Sequence, residues 1–133
     1  MAEPIVYIDR SEVREGKLDG LKAAIGELTE FIEVNVPRAI SYGIYLDETG
    51  SKMTVIQIQP DSAALESHMK VGAPAFAKFR DFIRLTAIEV YGDPSDHLLK
   101  QLDEKARMLG GGGVTVHKLE GGFARFGLPA DPE

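Results

Sequence analysis

The chain has 133 residues, 44% of them hydrophobic, which is typical of a folded domain and too high for a disordered segment. It contains no cysteine, so disulfide scaffolds and thiolate metal sites are excluded. The net charge is -6 and the lysines and arginines are scattered, so no cationic face is available for nucleic acid phosphates. A nucleic-acid-binding protein is therefore not expected.

The N-terminus lacks the basic start and apolar run of a signal peptide, and no apolar stretch reaches the ~20 residues of a membrane helix. We therefore expect a soluble cytoplasmic protein. We also expect a single domain over residues 1–126, with an extension from about residue 93 and a flexible tail at residues 127–133.

Hydrophobic periodicity predicts a strand, a helix and a hairpin in the first half of the chain. Residues 4–10 form a β-branched run typical of a strand. From Leu18 apolar residues recur at helical spacing as far as Pro37, which cannot continue a helix. Residues 38–47 and 52–59 then alternate with a period of two on either side of a turn, which indicates two paired strands.

The next segment predicts a second helix and a fourth strand. The helix starts in residues 60–69, and we expect Gly72 to interrupt it and Pro74 to open a renewed helix. Residues 84–92 alternate as a strand. The order β-α-β-β-α-β predicts an α+β, ferredoxin-like fold, in which two helices cover one face of an antiparallel sheet.

The extension predicts a third helix over residues 95–109 and a fifth strand at residues 114–119. With both helices of the ferredoxin-like unit on one face, the other face of the sheet would expose apolar and aromatic side chains such as Tyr45. Two copies packing sheet against sheet would cover that face. We therefore predict a homodimer with two-fold symmetry.

His68 is the main candidate for chemistry. It lies between Leu65 and Met69 at helical spacing, so it borders the apolar face of its helix. A partly buried histidine bonded to a neighbour is the more frequent situation for such a residue. The alternative is an imidazole that reaches a cavity, where it can donate, accept or shuttle a proton.

A metal site is not expected. The histidines at positions 68, 97 and 117 are far apart and show none of the usual ligand spacings. We expect His97 and His117 to face water. The glycine run at residues 110–113 follows a helix instead of preceding one, so it indicates a helix end and not a phosphate-binding loop.

Two short motifs carry a family resemblance. Pro37 ends a helix and Tyr42 follows in a strand; downstream, Leu65-x-x-His68 precedes Pro74-x-Phe76. With this pattern the chain resembles the antibiotic-biosynthesis-monooxygenase-like domain of the dimeric α+β barrel superfamily. The resemblance covers roughly the first 92 residues in the order of their elements.

The sequence also departs from the family pattern. Arg38 stands where glycine is usual, and Ala75 replaces a second histidine. Gln57 and Gln59 occupy the end of the third strand, where the family often has Glu-x-Trp, and the chain has no tryptophan. Haem-degrading relatives rely on tryptophan, so the resemblance does not favour haem degradation.

The resemblance implies a homodimer and a pocket between sheet and helices for a small hydrophobic or aromatic ligand. Some members oxidise quinols or polyketide aromatics with molecular oxygen and no cofactor, which implies such a monooxygenase here, without cofactor or metal. His68 is then the general base or hydrogen-bond donor, and Tyr42 the orienting catalytic group. The candidate substrate-binding residues are Tyr45, Gln57, Leu65, Met69, Phe76 and Phe79. The alternative is a non-catalytic ligand-binding or assembly domain on the same dimeric scaffold, favoured by the missing acid and indole.

Overall fold

The computed structural model describes residues 3–126, and the tail predicted at residues 127–133 lies outside them. The α+β, ferredoxin-like order of elements is confirmed. A short 3-10 turn, Lys78–Asp81, follows the second helix. The strands and α-helices are β1 (Ile5–Val13), α1 (Leu18–Asn35), β2 (Ser41–Leu46), β3 (Lys52–Gln59), α2 (Ser62–Ala77), β4 (Ile83–Tyr91), α3 (Asp96–Met108) and β5 (Gly113–His117).

The strands form one sheet with the order β2-β3-β1-β4-β5. The strands of the ferredoxin-like unit are antiparallel, as predicted. β5 joins parallel to β4, because α3 forms a crossover that returns the chain to the same end of the sheet. The sheet is therefore mixed, and α3 and β5 extend the same sheet and helix layer.

The helices pack on one face of the sheet and enclose the core there. Along β1, Ile5, Tyr7 and Asp9 are buried, whereas Val6 and Ile8 on the opposite face are only partly covered. This alternation follows from the two-residue period of a strand. It places a carboxylate, Asp9, among inward-facing side chains. None of the helices within residues 3–126 combines the length and apolarity that crossing a membrane requires.

The predicted break at Gly72 is wrong, because α2 is continuous from Ser62 to Ala77 with Pro74 inside it. Gly72 is helical and serves packing: a Cβ there would lie 2.4 Å from Cζ of Phe76. The missing side chain lets the Phe76 ring lie against its own helix. Asp61 caps the start of α2 by accepting a hydrogen bond from the Ala64 amide at 2.8 Å.

The two largest differences in strand boundaries from the prediction are of three residues each. β1 continues to Val13 instead of ending at Arg10, because both neighbouring strands pair with it beyond a bulge at Arg10 and Ser11. β2 begins only at Ser41, so Ile40 precedes the strand and is 41% exposed. The inward side of β2 therefore consists of Tyr42, Ile44 and Leu46.

The entry into β5 supplies a test of the fold. Gly112 lies against the β4 backbone, where an added Cβ would be 2.5 Å from the carbonyl carbon of Thr86. We expect Gly112→Ala to lower the free energy of unfolding by about 1–3 kcal/mol, because backbone cannot move aside as a side chain can. Chemical denaturation measures this change.

Gly26→Ala is the matched control. Gly26 lies in α1, and an added Cβ would have no heavy atom within 4 Å. Alanine should therefore raise the free energy of unfolding by about 0.5–1 kcal/mol. Equal stability of the two variants would contradict the close packing of β5 on β4.

Candidate functional site

A group of polar side chains lies inside the core, between the sheet and helices α2 and α3. β1 and β3 supply the members on the sheet, and the two helices supply the others. Each is at most 8% exposed, and four of them are fully buried at 0%: Tyr7, Gln57, Gln59 and His68. We call this group the buried polar cluster; it comprises Tyr7, Asp9, Gln57, Gln59, His68 and Lys105.

One half of the cluster is an ion pair with a bridging phenol. Lys105 Nζ donates to Asp9 Oδ2 at 3.2 Å and to the Tyr7 hydroxyl at 2.8 Å, and that hydroxyl donates to Asp9 Oδ2 at 2.5 Å. Burial, followed by the charge of Asp9, raises the pKa of Tyr7, so its phenol stays protonated. Burying two charges costs desolvation energy that their attraction only partly offsets. Charged side chains are rarely buried this completely, and here the two opposite charges compensate each other.

The other half is a chain of side-chain amides ending on the histidine. Gln59 Nε2 donates to Gln57 Oε1 at 2.8 Å, and Gln57 Nε2 lies 3.2 Å from His68 Nε2. Burial, followed by the positive charge of Lys105, lowers the pKa of His68 to about 3. The imidazole is therefore neutral near pH 7 and a weak base.

A small cavity adjoins the cluster. It has a volume of about 20 Å³ and is lined by Asp9, Tyr42, Lys105, Phe76 and further apolar side chains of the sheet and helices. This space is enough for one water molecule. Burial, followed by the charge of Asp9, raises the pKa of Tyr42, so its phenol also stays protonated. We call this space the inner cavity.

A wider groove runs outside it, between α2 and α3, with a volume of about 550 Å³. Met69, His97 and Met108 line this α2/α3 groove, and Phe76 and Lys105 line both the groove and the inner cavity. Lys105 Nζ lies 4.3 Å from the centroid of the Phe76 ring. These two side chains therefore form the partition between the groove and the inner cavity.

The structure brings most of the sequence-predicted residues together. The His68 ring lies 5.4 Å from the Tyr42 ring and 5.5 Å from the Phe76 ring, measured between centroids. Gln57 contacts His68 directly, and Phe79 lines the inner cavity. The remaining two on α2 are placed differently: Leu65 is fully buried in the core, and Met69 lines the groove.

Tyr45 does not join this group. It lies on β2 between inward-facing residues, points to the opposite face of the sheet and is 58% exposed. The period of a strand requires this, because Tyr45 and Tyr42 are three positions apart. Its predicted role in substrate binding therefore lacks support from this geometry.

Sequence reasoning missed the ion pair, although both residues break a pattern. Asp9 shares the two-residue period of Ile5 and Tyr7, which placed a carboxylate on the buried face of β1. Lys105 lies three positions after Leu102, within the apolar stripe of α3. The available signal was therefore an acidic residue on a strand and a basic residue on a helix, both at inward positions.

The other histidines lie apart from the cluster. His97 is exposed on α3, as predicted. His117 is only partly exposed; its ring stacks on Tyr91 at 4.3 Å, and its Nε2 lies 3.2 Å from Glu89 Oε1. Among residues 3–126 no three histidine or carboxylate side chains are grouped so that they could hold a metal ion.

Comparison with known proteins gives similar folds at low sequence identity. No protein-family model and no curated protein matches the sequence. MupZ from Pseudomonas fluorescens is 22% identical, with a TM-score of 0.74 over 98% of this chain and 95% of MupZ. That match includes the extension formed by α3 and β5.

Other matches cover a smaller share of this chain. SnoaB, a cofactor-independent oxygenase from Streptomyces nogalater, is 12% identical, with a TM-score of 0.57 over 71% of this chain and 96% of SnoaB. A putative antibiotic biosynthesis monooxygenase from Chloroflexus aurantiacus is 16% identical, with a TM-score of 0.55 over 66% of this chain and 90% of that protein. At these identities the likeness concerns the fold. The chain has the α+β fold of antibiotic-biosynthesis-monooxygenase-like proteins.

Proposed function

We propose that the protein is a cofactor-independent monooxygenase that oxidises a small aromatic, quinol-like compound beside the buried polar cluster. The observation that carries this proposal is the ion pair of Asp9 and Lys105 at the wall of the inner cavity. A base and a cation held together in an apolar enclosure can form and stabilise a substrate anion. SnoaB, which shares the fold, is a cofactor-independent oxygenase.

Asp9 and Lys105 have complementary roles in this proposal. The Asp9 carboxylate accepts a proton from the reduced aromatic ring system, and the Lys105 ammonium stabilises the resulting phenolate-type oxygen. The neutral Tyr42 hydroxyl donates a hydrogen bond and orients the ring. His68, with a pKa lowered to about 3, is a poor base. In this proposal Asp9 therefore takes the proton-accepting role that was expected of His68.

The oxidation balances without an external reductant. A ring methylene, as in an anthrone, gives up both hydrogens and four electrons to O₂. One oxygen atom becomes the new carbonyl oxygen, and the other leaves as water with the two hydrogens. The substrate enters through the α2/α3 groove, and movement of the Phe76 ring joins the groove to the inner cavity.

Oxygen uptake with anthrone as the probe tests the proposal. We expect Lys105→Met to lower the initial rate by about 100- to 1,000-fold, because the phenolate loses its stabilising charge. Lys100→Met changes an exposed lysine on the same helix and should leave the rate unchanged. Unaltered uptake in Lys105→Met would contradict the assigned role.

The folding of these variants has to be controlled, since Lys105→Met leaves the Asp9 carboxylate buried without its partner. A loss of about 3–5 kcal/mol in unfolding free energy is expected for that reason. The double variant Asp9→Asn, Lys105→Met removes both charges and should recover much of this stability. It should remain inactive, which separates the loss of chemistry from the loss of fold.

The neutral state of His68 predicts a pH dependence of stability. The unfolded histidine takes up a proton below its ordinary pKa of 6.5, whereas the folded one does so only near 3. The free energy of unfolding therefore falls as the pH decreases between these values. From about pH 7 to about pH 5 this residue should account for a loss of about 2 kcal/mol.

Chemical denaturation of His68→Asn at both pH values isolates that contribution. The variant should lose about 2 kcal/mol less than the unsubstituted protein over the same interval. His97→Asn, at an exposed position on α3, should retain the original pH dependence. An identical pH dependence in His68→Asn would show that His68 is not held neutral.

We propose that the protein forms a homodimer through the open face of the sheet. Side chains of β1 and β3 alternate between the two faces of the sheet, so both strands place aliphatic side chains on the face that the helices leave uncovered. Tyr45, which is 58% exposed, lies beside them. A second copy would bury this surface. The aliphatic residues are Val6, Ile8, Ile56 and Ile58.

Sedimentation velocity at micromolar concentration tests the dimer. Ile56→Lys places a charge on the open face and should weaken association by about 100-fold. Val34→Lys makes the same kind of change on α1, at a side chain that is 74% exposed, and should leave the dimer intact. A monomer in the unsubstituted protein would exclude the proposed interface.

The small size of the inner cavity favours one alternative, a non-catalytic domain that binds a ligand. A volume of about 20 Å³ holds a water molecule and no aromatic ring unless side chains move. In that case the α2/α3 groove alone would hold the ligand. Anthrone would then bind without oxygen uptake, and the Lys105 and Lys100 variants would not differ in rate.

A further inference from the structure

We propose that the open face of the sheet carries a second binding site, for a small organic cation with an apolar body, such as an arylalkylammonium compound. The site is a pocket of about 540 Å³ at the place where β1 begins and β4 and β5 end. We call this space the outer pocket. The proposal does not depend on monooxygenase activity, because the buried polar cluster lies on the other face of the sheet.

The floor of the outer pocket is a row of side chains across the open face. Val6 of β1 is paired with Tyr91 of β4, and Tyr91 is paired with His117 of β5, so the three side chains lie next to one another on the same face. The Tyr91 hydroxyl donates a hydrogen bond to Glu89 Oε1 at 2.9 Å. Because its polar group already has this partner, Tyr91 contributes its ring to the pocket.

The wall of the outer pocket is the segment that follows β5. Leu119, Phe123 and Phe126 all line the pocket and are exposed, Phe123 to 79%. Exposing three large apolar side chains in one short segment is unfavourable in water, and such patches mark binding surfaces. The volume of the pocket and its largely apolar lining are typical of sites for small organic molecules.

The charges at the outer pocket favour a positively charged ligand. Glu3 and Glu120 line the pocket, and neither carboxylate forms an ion pair with a residue in the range 3–126. The Lys118 ammonium, which also lines the pocket, is paired with the Asp93 carboxylate at 3.2 Å. The uncompensated charge of the lining is therefore negative, and the net charge of the chain, -6, has the same sign.

Aromatic rings supply a second attraction for a cation, because the face of a tyrosine or phenylalanine ring attracts positive charge. Phe123 already makes such a contact, with the Arg125 guanidinium carbon 4.4 Å from the centroid of its ring. Arg125 does not line the outer pocket, and within the described chain no cationic side chain lies over the rings of Tyr91 or Phe126. The pocket thus offers ring faces and carboxylates to an ammonium group, and aliphatic side chains to an apolar body.

Three probes with the same apolar body test the preference for a cation: phenylbutylamine, phenylbutanol and phenylbutyrate. Isothermal titration calorimetry at pH 7 should give the lowest Kd for the amine, about 3- to 10-fold below that of the alcohol, and the highest Kd for the carboxylate. In amide NMR spectra the amine should shift the resonances of Tyr91, His117 and Phe123. Equal Kd values would overturn the preference for a cation, and unshifted resonances at these residues would overturn the site.

Carboxylate variants locate the charge that the amine recognises. The double variant Glu3→Gln, Glu120→Gln should raise the Kd of the amine by about 3- to 10-fold and leave that of the alcohol unchanged. Glu104→Gln, the matched control, removes an exposed carboxylate that lines the α2/α3 groove and should change neither value. The proposal is wrong if the double variant binds the amine normally, or if Glu104→Gln weakens its binding.

A variant of the wall separates ligand binding from contact with a second copy of the chain. Phe123→Ser should raise the Kd of all three probes by about 10-fold, because each loses apolar contact. The side chain is largely exposed, so the free energy of unfolding and the sedimentation coefficient should not change. A shift of Phe123→Ser from dimer to monomer would assign this surface to the partner copy and overturn the ligand site.

Discussion

The ion pair between Asp9 and Lys105 is the interaction on which the site depends. It connects the central strand of the sheet to α3, which belongs to the extension, through a contact of 3.2 Å in the core. Because either charge alone would be strongly unfavourable there, β1 and α3 have to remain docked. This contact gives the ferredoxin-like unit a charged wall to its cavity, and it makes α3 part of the site.

The buried polar cluster combines two different kinds of group. The Lys105–Asp9–Tyr7 part is charged and suited to moving a proton or holding an anion. The Gln59–Gln57–His68 part is a chain of neutral side chains joined by hydrogen bonds. Their closeness also explains the low basicity of His68, since the charge of Lys105 adds to the effect of burial.

The sequence predicted the features that depend on local periodicity. The alternating and helical patterns located the strands and helices, and the helix spacing with the family resemblance identified His68, Tyr42, Gln57 and Phe76, which meet in space. The break at Gly72 was wrong, because the effect of that glycine depends on where the Phe76 ring packs. The ion pair was missed because its partners are 96 positions apart in the sequence. A charged residue at an inward position indicates a buried ion pair only when the residue that pairs with it is also known.

The packing at Gly72 has a consequence for how the protein could diversify. The Phe76 ring occupies the space that a side chain at position 72 would need, and the same ring divides the groove from the inner cavity. A methyl group at that position would force the ring into a new orientation. The shape of the inner cavity and of the groove is thereby tied to the size of one residue on α2, and a substitution there would remodel both spaces without replacing Asp9 or Lys105.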